Sequence, residues 1–206
     1  MPTLIHFLWR QLLYALFGYK LAGHLRRFRD NRGEEVCIDN ILSDFVKPII
    51  KSIPRYKVTT YWQRTRNYMP RRVFYIDGQY VFLLSCPDEN NIDVDIACLA
   101  FDRFGSKSIC IKQIQGRPSY GEVNYRDYLK AIKWERFLIK VACQWAKSNN
   151  LKVYMVSAKK SPWYNKSRQK EMYMRYDVTA RRSGFKFNRL TQYYKLPPSR
   201  LKAMAT

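Results

Sequence analysis

The stretch Val73-Phe74-Tyr75-Ile76-Asp77-Gly78-Gln79-Tyr80-Val81-Phe82-Leu83-Leu84 decides how the chain is read. Two β-rich runs, Val73–Ile76 and Gln79–Leu84, flank Asp77-Gly78. That dipeptide suits both central positions of a type I′ turn, so the segment predicts a hairpin. Upstream, Tyr56, Val58, Thr60 and Trp62 recur at every second position and predict a strand. Downstream, Ile92, Val94 and Ile96 alternate with Asp93 and Asp95, and Phe104-Gly105-Ser106 turns the chain into Ser108–Ile114. Strands joined by such connections pair antiparallel, and a meander of four is expected.

Beyond the meander the period changes. Over Tyr125–Asn149, Trp134, Phe137, Leu138, Val141, Ala142 and Trp145 share one face at helical spacing. Lys133, Arg136, Lys140 and Lys147 lie on the other. Leu151–Ser157 reads as a buried strand, residues 169–183 as a second helix stopped by Gly184, and Leu190–Leu196 as a last strand closing against Pro197-Pro198. Ahead of the meander, Ile41, Leu42, Phe45, Val46 and Ile49 predict a short helix within 34–52. The expected fold is α/β (α+β): N-terminal helices, an antiparallel four-stranded meander, then helix, strand, helix, strand. A chain of 206 residues holds one such compact domain, with a helical segment at 1–52 in front of an α/β unit at 53–206.

Charge points to the partner. Lys and Arg number 38 against 16 Asp and Glu, a formal net charge of +22. Self-repulsion of that size destabilises a compact state, and an anionic partner relieves it. Nucleic acid, an anionic membrane surface and a phosphorylated cofactor are the candidates. The charge is also segregated: residues 73–102 hold six acids and no cation, whereas 159–202 hold thirteen Lys and Arg against Glu171 and Asp177. Within that basic half, Lys159, Lys160, Lys166, Arg168 and Lys170 surround Trp163 and Tyr164. Cations for phosphates interleaved with rings for bases make this the candidate polyanion-binding loop, joined by Arg181 and Arg182.

Other chemistry is thin. Five cysteines form no CxxC pair and only His6 and His24 accompany them, so no metal site is expected. Asp93 and Asp95 read as the wet face of an edge strand. No nucleophile elbow and no Walker A motif occurs. The thiols indicate a reducing, cytoplasmic compartment. Residues 4–29, apolar and then basic, have two readings: a first helix packed on the domain, or an interfacial helix holding the protein at the inner face of the membrane.

Residues 107–197 carry a resemblance. Gln115-Gly116 closes a strand and a long amphipathic helix follows. After it come a strand running into Val156-Ser157, an aromatic and basic loop, Tyr176-Asp177, and a final strand ending in Leu196-Pro197. In this the chain resembles the bacterial VirK family, which in turn resembles the GNAT superfamily of N-acyltransferases. The resemblance implies a cleft for acyl-CoA where two central strands splay, and either transfer of the acyl group to an acceptor or a relative that has lost catalysis. A loop entering the long helix would wrap the CoA pyrophosphate. Arg126 and Ala131 match that motif, with Leu129 in place of its glycine; Gln113, Gln115, Gly116, Arg117 and Gly121 offer a second path. The family's acid tyrosine sits before a Gly-Phe. Gly184-Phe185 is present, Ala180 holds the tyrosine's spacing, and Tyr176 or Tyr173 would serve as the acid instead.

Overall fold

A computed structural model of the chain describes residues 35–45, 55–62, 74, 76–88, 90–117, 119–120, 123–161 and 163–203. The apolar segment 4–29 and the second half of the expected helix at 34–52 lie outside them. What is described of that helix is a single turn, α1 (Asp39–Leu42), with Ile41 buried. Among the described residues no helix is long and apolar enough to cross a membrane.

Seven strands form one mixed sheet: β1 (Lys57–Trp62), β2 (Tyr80–Pro87), β3 (Asp93–Arg103), β4 (Ser108–Gly116), β7 (Lys152–Val156), β8 (Lys186–Asn188) and β9 (Tyr193–Lys195). Their order across the sheet is β1-β2-β3-β4-β7-β9-β8. All neighbours are antiparallel except β4 and β7. A small separate hairpin, β5 (Ser119–Tyr120) and β6 (Val123–Asn124), follows β4. The fold is therefore α+β with a four-stranded antiparallel meander.

The meander is not built from the hairpin that Asp77-Gly78 predicts. Trp62 through Lys57 pair with Tyr80 through Ser85, so β1 takes the edge of β2 that Val73–Ile76 would have used. Neither Asp77 nor Gly78 has a positive φ, which a type I′ turn requires at both positions. Glycine is needed at 78 for a different reason. A Cβ there would stand 3.0 Å from the Ala100 Cβ and 3.0 Å from the Phe101 nitrogen, so the backbone itself rests on β3. The segment before it crosses the second face of the sheet, where Phe74 and Ile76 pack on Val81, Leu83, Cys98 and Ala100. Short-range turn chemistry was overruled by apolar residues that cover a face more effectively than they would extend an edge.

The first face carries the main core. The expected helix at 125–149 is two helices, α2 (Arg126–Ala131) and α3 (Trp134–Ser148). Lys133 separates them in the left-handed region, φ 48°. Its carbonyl accepts the N–H groups of Arg136 and Phe137, opening the new helix in another direction. The break lets α3 bury Phe137, Leu138, Val141 and Ala142 against the sheet. There Phe82, Phe101 and Trp145 meet with ring centroids 5.4–6.1 Å apart. Phe82 and Phe101 are fully buried, and each contributes about 1.5–3 kcal/mol; Trp145 is partly buried.

The helix expected at 169–183 is one rod, α4, made of Gln169–Tyr173, a π turn Met174–Val178 and Thr179–Arg182. Gly184, φ 85°, ends it as the sequence suggests. The Phe185 N–H reaches the Ala180 carbonyl and the Gly184 N–H the Arg181 carbonyl, a left-handed C-terminal cap. The single strand expected at 190–196 is a hairpin, because β8 pairs with β9 in front of it. A short α5 (Pro198–Ala203) closes the described chain.

Cys86, Cys98, Cys110 and Cys143 are buried, and Cys37 is exposed. Burial pushes the Cys110 and Cys143 thiols up from their ordinary value near 9 to about 12, with Lys112 partly opposing the shift at Cys110. Folded values above unfolded ones contribute stability that is complete below pH 9 and is lost as pH rises from 9 to 12. A thiol reagent at neutral pH is expected to label one cysteine in the native protein and five after denaturation, and circular dichroism to report loss of structure beginning above pH 9. Rapid native labelling of two or more cysteines would contradict this core.

Candidate functional site

Three regions carry the side chains that the sequence singles out: the parting of β4 and β7, the surface between α3 and α4, and the turn after β7.

β4 and β7 run together only over Ser108–Ile111 and Lys152–Met155. Beyond Ile111 the two strands separate, while β4 continues along β3 to Gly116. Tyr176 fills the gap. Its ring is buried, and its hydroxyl accepts the N–H of Ile114 at 3.4 Å. Burial raises the phenol's pKa, and bonds to Ser161 and to the Ile114 N–H partly oppose this. The neighbouring Asp177 is buried as well. It accepts the Ala158 N–H at 2.9 Å on one oxygen and the Tyr194 hydroxyl at 2.9 Å on the other. The π turn explains why consecutive residues both face inward, since five residues share that turn and the register slips relative to the flanking α-helix.

The residues assigned to an acyl-CoA loop occupy different settings. Gln113 is buried and fixed, accepting the Asp77 N–H at 2.8 Å and donating to the Gln115 side chain at 2.8 Å. Gly116 lies under Trp134, whose ring carbon would stand 2.7 Å from a Cβ at that position. The Arg117 N–H is held by the Ile96 carbonyl at 2.7 Å. Arg126 and Ala131 both lie inside α2 with Leu129 buried between them, so the matching motif is helix and not an open loop. Gly121 is outside the described residues.

Between α3 and α4 the surface is strongly cationic. A groove of about 690 Å³ is lined by Lys130, Lys133, Arg136, Arg175 and Arg182 with Glu135 and Glu171. A second, of about 490 Å³, is lined by Lys133, Arg136, Lys140, Arg181, Arg182 and Arg200 with Asp44. Lys133, Arg136 and Arg182 line both, so the two grooves adjoin, and together they are termed the channel. Its carboxylates are largely engaged. Asp44 pairs with Lys140. Glu171 is gripped by Arg168 at 2.6 and 2.8 Å and by Arg175 at 3.1 Å; the Arg168 bonds hold it below the usual carboxylate range despite some opposing burial. Arg136 lies 6.0 Å from the Phe45 ring, and its Nε is buried without a hydrogen-bond partner. The sequence points to Arg181 and Arg182 here but not to Arg200. The polar face of the 125–149 helix already held Lys133, Arg136 and Lys140, and only the helix break and the position of α4 turn that face into a channel.

The turn after β7 forms the third region. Lys159, Tyr164, Lys170 and Tyr173 line a cavity of about 650 Å³ together with Gln169, Phe187 and Gln192, over a floor of Ser157, Ala158 and Asp177. Lys160 is directed elsewhere, over the Tyr193 ring at 4.8 Å. Trp163 is exposed, and Lys166 and Arg168 sit on a short 3₁₀ turn whose start is capped by the Asn165 side chain. Tyr173 and Tyr176, both named as acids, are thus separated: Tyr176 lies in the strand gap and Tyr173 in this cavity, where its hydroxyl accepts from Arg181 at 3.0 Å. Compared with known proteins, the chain matches no family model, no curated protein and no solved structure.

Proposed function

We propose that this chain is a GNAT-like domain, of the VirK-like kind, that binds a phosphate-rich polyanion along the channel between α3 and α4 and performs no acyl transfer. The fold reading is supported by the strand order, in which a meander leads through a helical crossover to one parallel pair that parts halfway along. A terminal hairpin whose second strand lies inside its first adds to it. The acyl-CoA reading finds little support in the side chains. Tyr176 fills the gap that a pantetheine arm would need and takes up the Ile114 N–H that would face a thioester carbonyl. The matching motif is helical from its first residue: the Arg126 N–H is taken by the Asn124 side chain and the Leu129 N–H by the Tyr125 carbonyl, so it is not the open loop that would wrap a pyrophosphate.

The observation that carries the binding reading is the channel itself, with eight cations against three carboxylates on its walls. Cations that face one another across a groove repel, and phosphate between them removes that repulsion while releasing counterions. The test is thermal melting with inorganic polyphosphate, with adenosine 3′,5′-bisphosphate and with acetyl-CoA, at about 0.3 M salt to screen diffuse attraction. Polyphosphate is expected to raise the Tm, and acetyl-CoA to raise it no further than the bisphosphate does. A larger shift with acetyl-CoA means that the thioester arm enters between β4 and β7, and it overturns the closed gap.

A further inference from the structure

The cavity after β7 differs from the channel in kind. Its walls are rings, those of Tyr164, Tyr173 and Phe187, and its cations, Lys159 and Lys170, are confined to the rim. Tyr173 and Phe187 are 41% and 43% exposed, so two large ring surfaces face water across a concave space. Both are held in place. The Arg181 guanidinium donates to the Tyr173 hydroxyl and lies 5.7 Å from its ring. Phe187 rests on Tyr194 at a centroid distance of 5.0 Å, and Tyr194 is fixed by Asp177. Arg181 also lines the cationic channel, so Tyr173 stands where the channel meets the cavity.

We infer that this cavity is a base-stacking site for single-stranded nucleic acid, whose backbone runs on into the cationic channel; the inference rests on the polyanion reading above. Rings fixed at the end of a phosphate-binding track suit a polymer that carries a flat π-face beside every phosphate. Lys159 and Lys170 at the rim supply charge where the backbone would pass, and the Gln169 and Gln192 amides offer donors and acceptors to a base edge. A duplex keeps its bases stacked inside and cannot offer one to the cavity. A lipid surface favours rings that protrude from a convex tip, whereas these line a concavity.

The experiment is fluorescence anisotropy of the full chain with labelled single strands of about 12 nucleotides, RNA and DNA, and with a duplex of equal length, in about 0.15 M salt. Single strands are expected to bind. Tyr173→Ala and Phe187→Ala should each weaken them about tenfold while leaving duplex binding unchanged, and Tyr173→Phe should keep most of the affinity because the ring persists. Lys170→Gln should make the salt dependence shallower by about 0.7. Melting curves of the variants verify that each is folded. Single-strand affinity unaffected by both alanine variants, with duplex and polyphosphate still bound, overturns the stacking site and leaves the channel reading intact. No binding to any polyanion overturns both. Binding to anionic phospholipid vesicles that Phe187→Ala abolishes, with no oligonucleotide bound, assigns the cavity to a membrane and overturns the inference equally.

Discussion

Replacing Asp177 by alanine is expected to lower the stability of the domain by roughly 3–5 kcal/mol. The carboxylate is buried and ties three elements together: it sits on α4, receives the Ala158 N–H from the turn after β7, and receives the Tyr194 hydroxyl from β9. Truncation leaves the buried Ala158 N–H without its acceptor, at about 1–3 kcal/mol, takes the charged acceptor from the Tyr194 hydroxyl, which keeps its bond from Arg181, and adds a small cavity. Asparagine keeps one acceptor and should cost about half as much. Urea unfolding of the two variants measures the difference. A loss below about 1 kcal/mol for the alanine variant would mean that water or a repacked neighbour replaces the carboxylate, and that the π turn is not held by this network. The substitution also reaches function, since Asp177 forms part of the aromatic cavity's floor and anchors Tyr194, on which Phe187 rests.

Elements whose pattern is set by a single buried face were legible in the sequence. The apolar stripe of α3, the buried run of β7 and the alternation of β1 all follow from local periodicity. Positions where tertiary packing overrules local preference were not. Asp77-Gly78 has the chemistry of a tight hairpin, yet Gly78 is required by contact with β3, which no sequence window around it contains. Lys133 carries no signal of a helix break, because nothing in its side chain favours a left-handed backbone; the surrounding packing imposes it, at a cost of about 1–2 kcal/mol. β8 was missed because Lys186-Phe187-Asn188 is too short and too exposed to show a period. The same division holds for the candidate sites. Lys159, Tyr164 and Lys170 are close in sequence and line one cavity. The channel gathers Lys133 from the break between α2 and α3, Arg182 from α4 and Arg200 from α5, positions that only the fold brings together.

Neutralising the junction of the channel is the substitution with the largest expected effect on binding. Lys133, Arg136 and Arg182 line both grooves, so changing all three to glutamine removes charge from the whole length of the track. If each contacts one phosphate of a single strand, the slope of log affinity against log salt becomes shallower by about 2, and affinity at about 0.15 M salt falls roughly fifty-fold. The same number of charges removed at Lys57, Lys107 and Lys152, which lie on the sheet's first edge and at the starting ends of β4 and β7, tests whether net charge alone accounts for the loss. That control variant should keep the wild-type slope and lose no more than about threefold, through the weaker long-range field. Equal losses in the two variants would mean that the protein attracts polyanions diffusely and that the channel is no site. A large loss confined to the first variant ties binding to a surface that exists only because Lys133 breaks the helix and α4 packs beside it. The polyanion would then be recognised by the fold's own geometry, with the +22 net charge serving to bring it near.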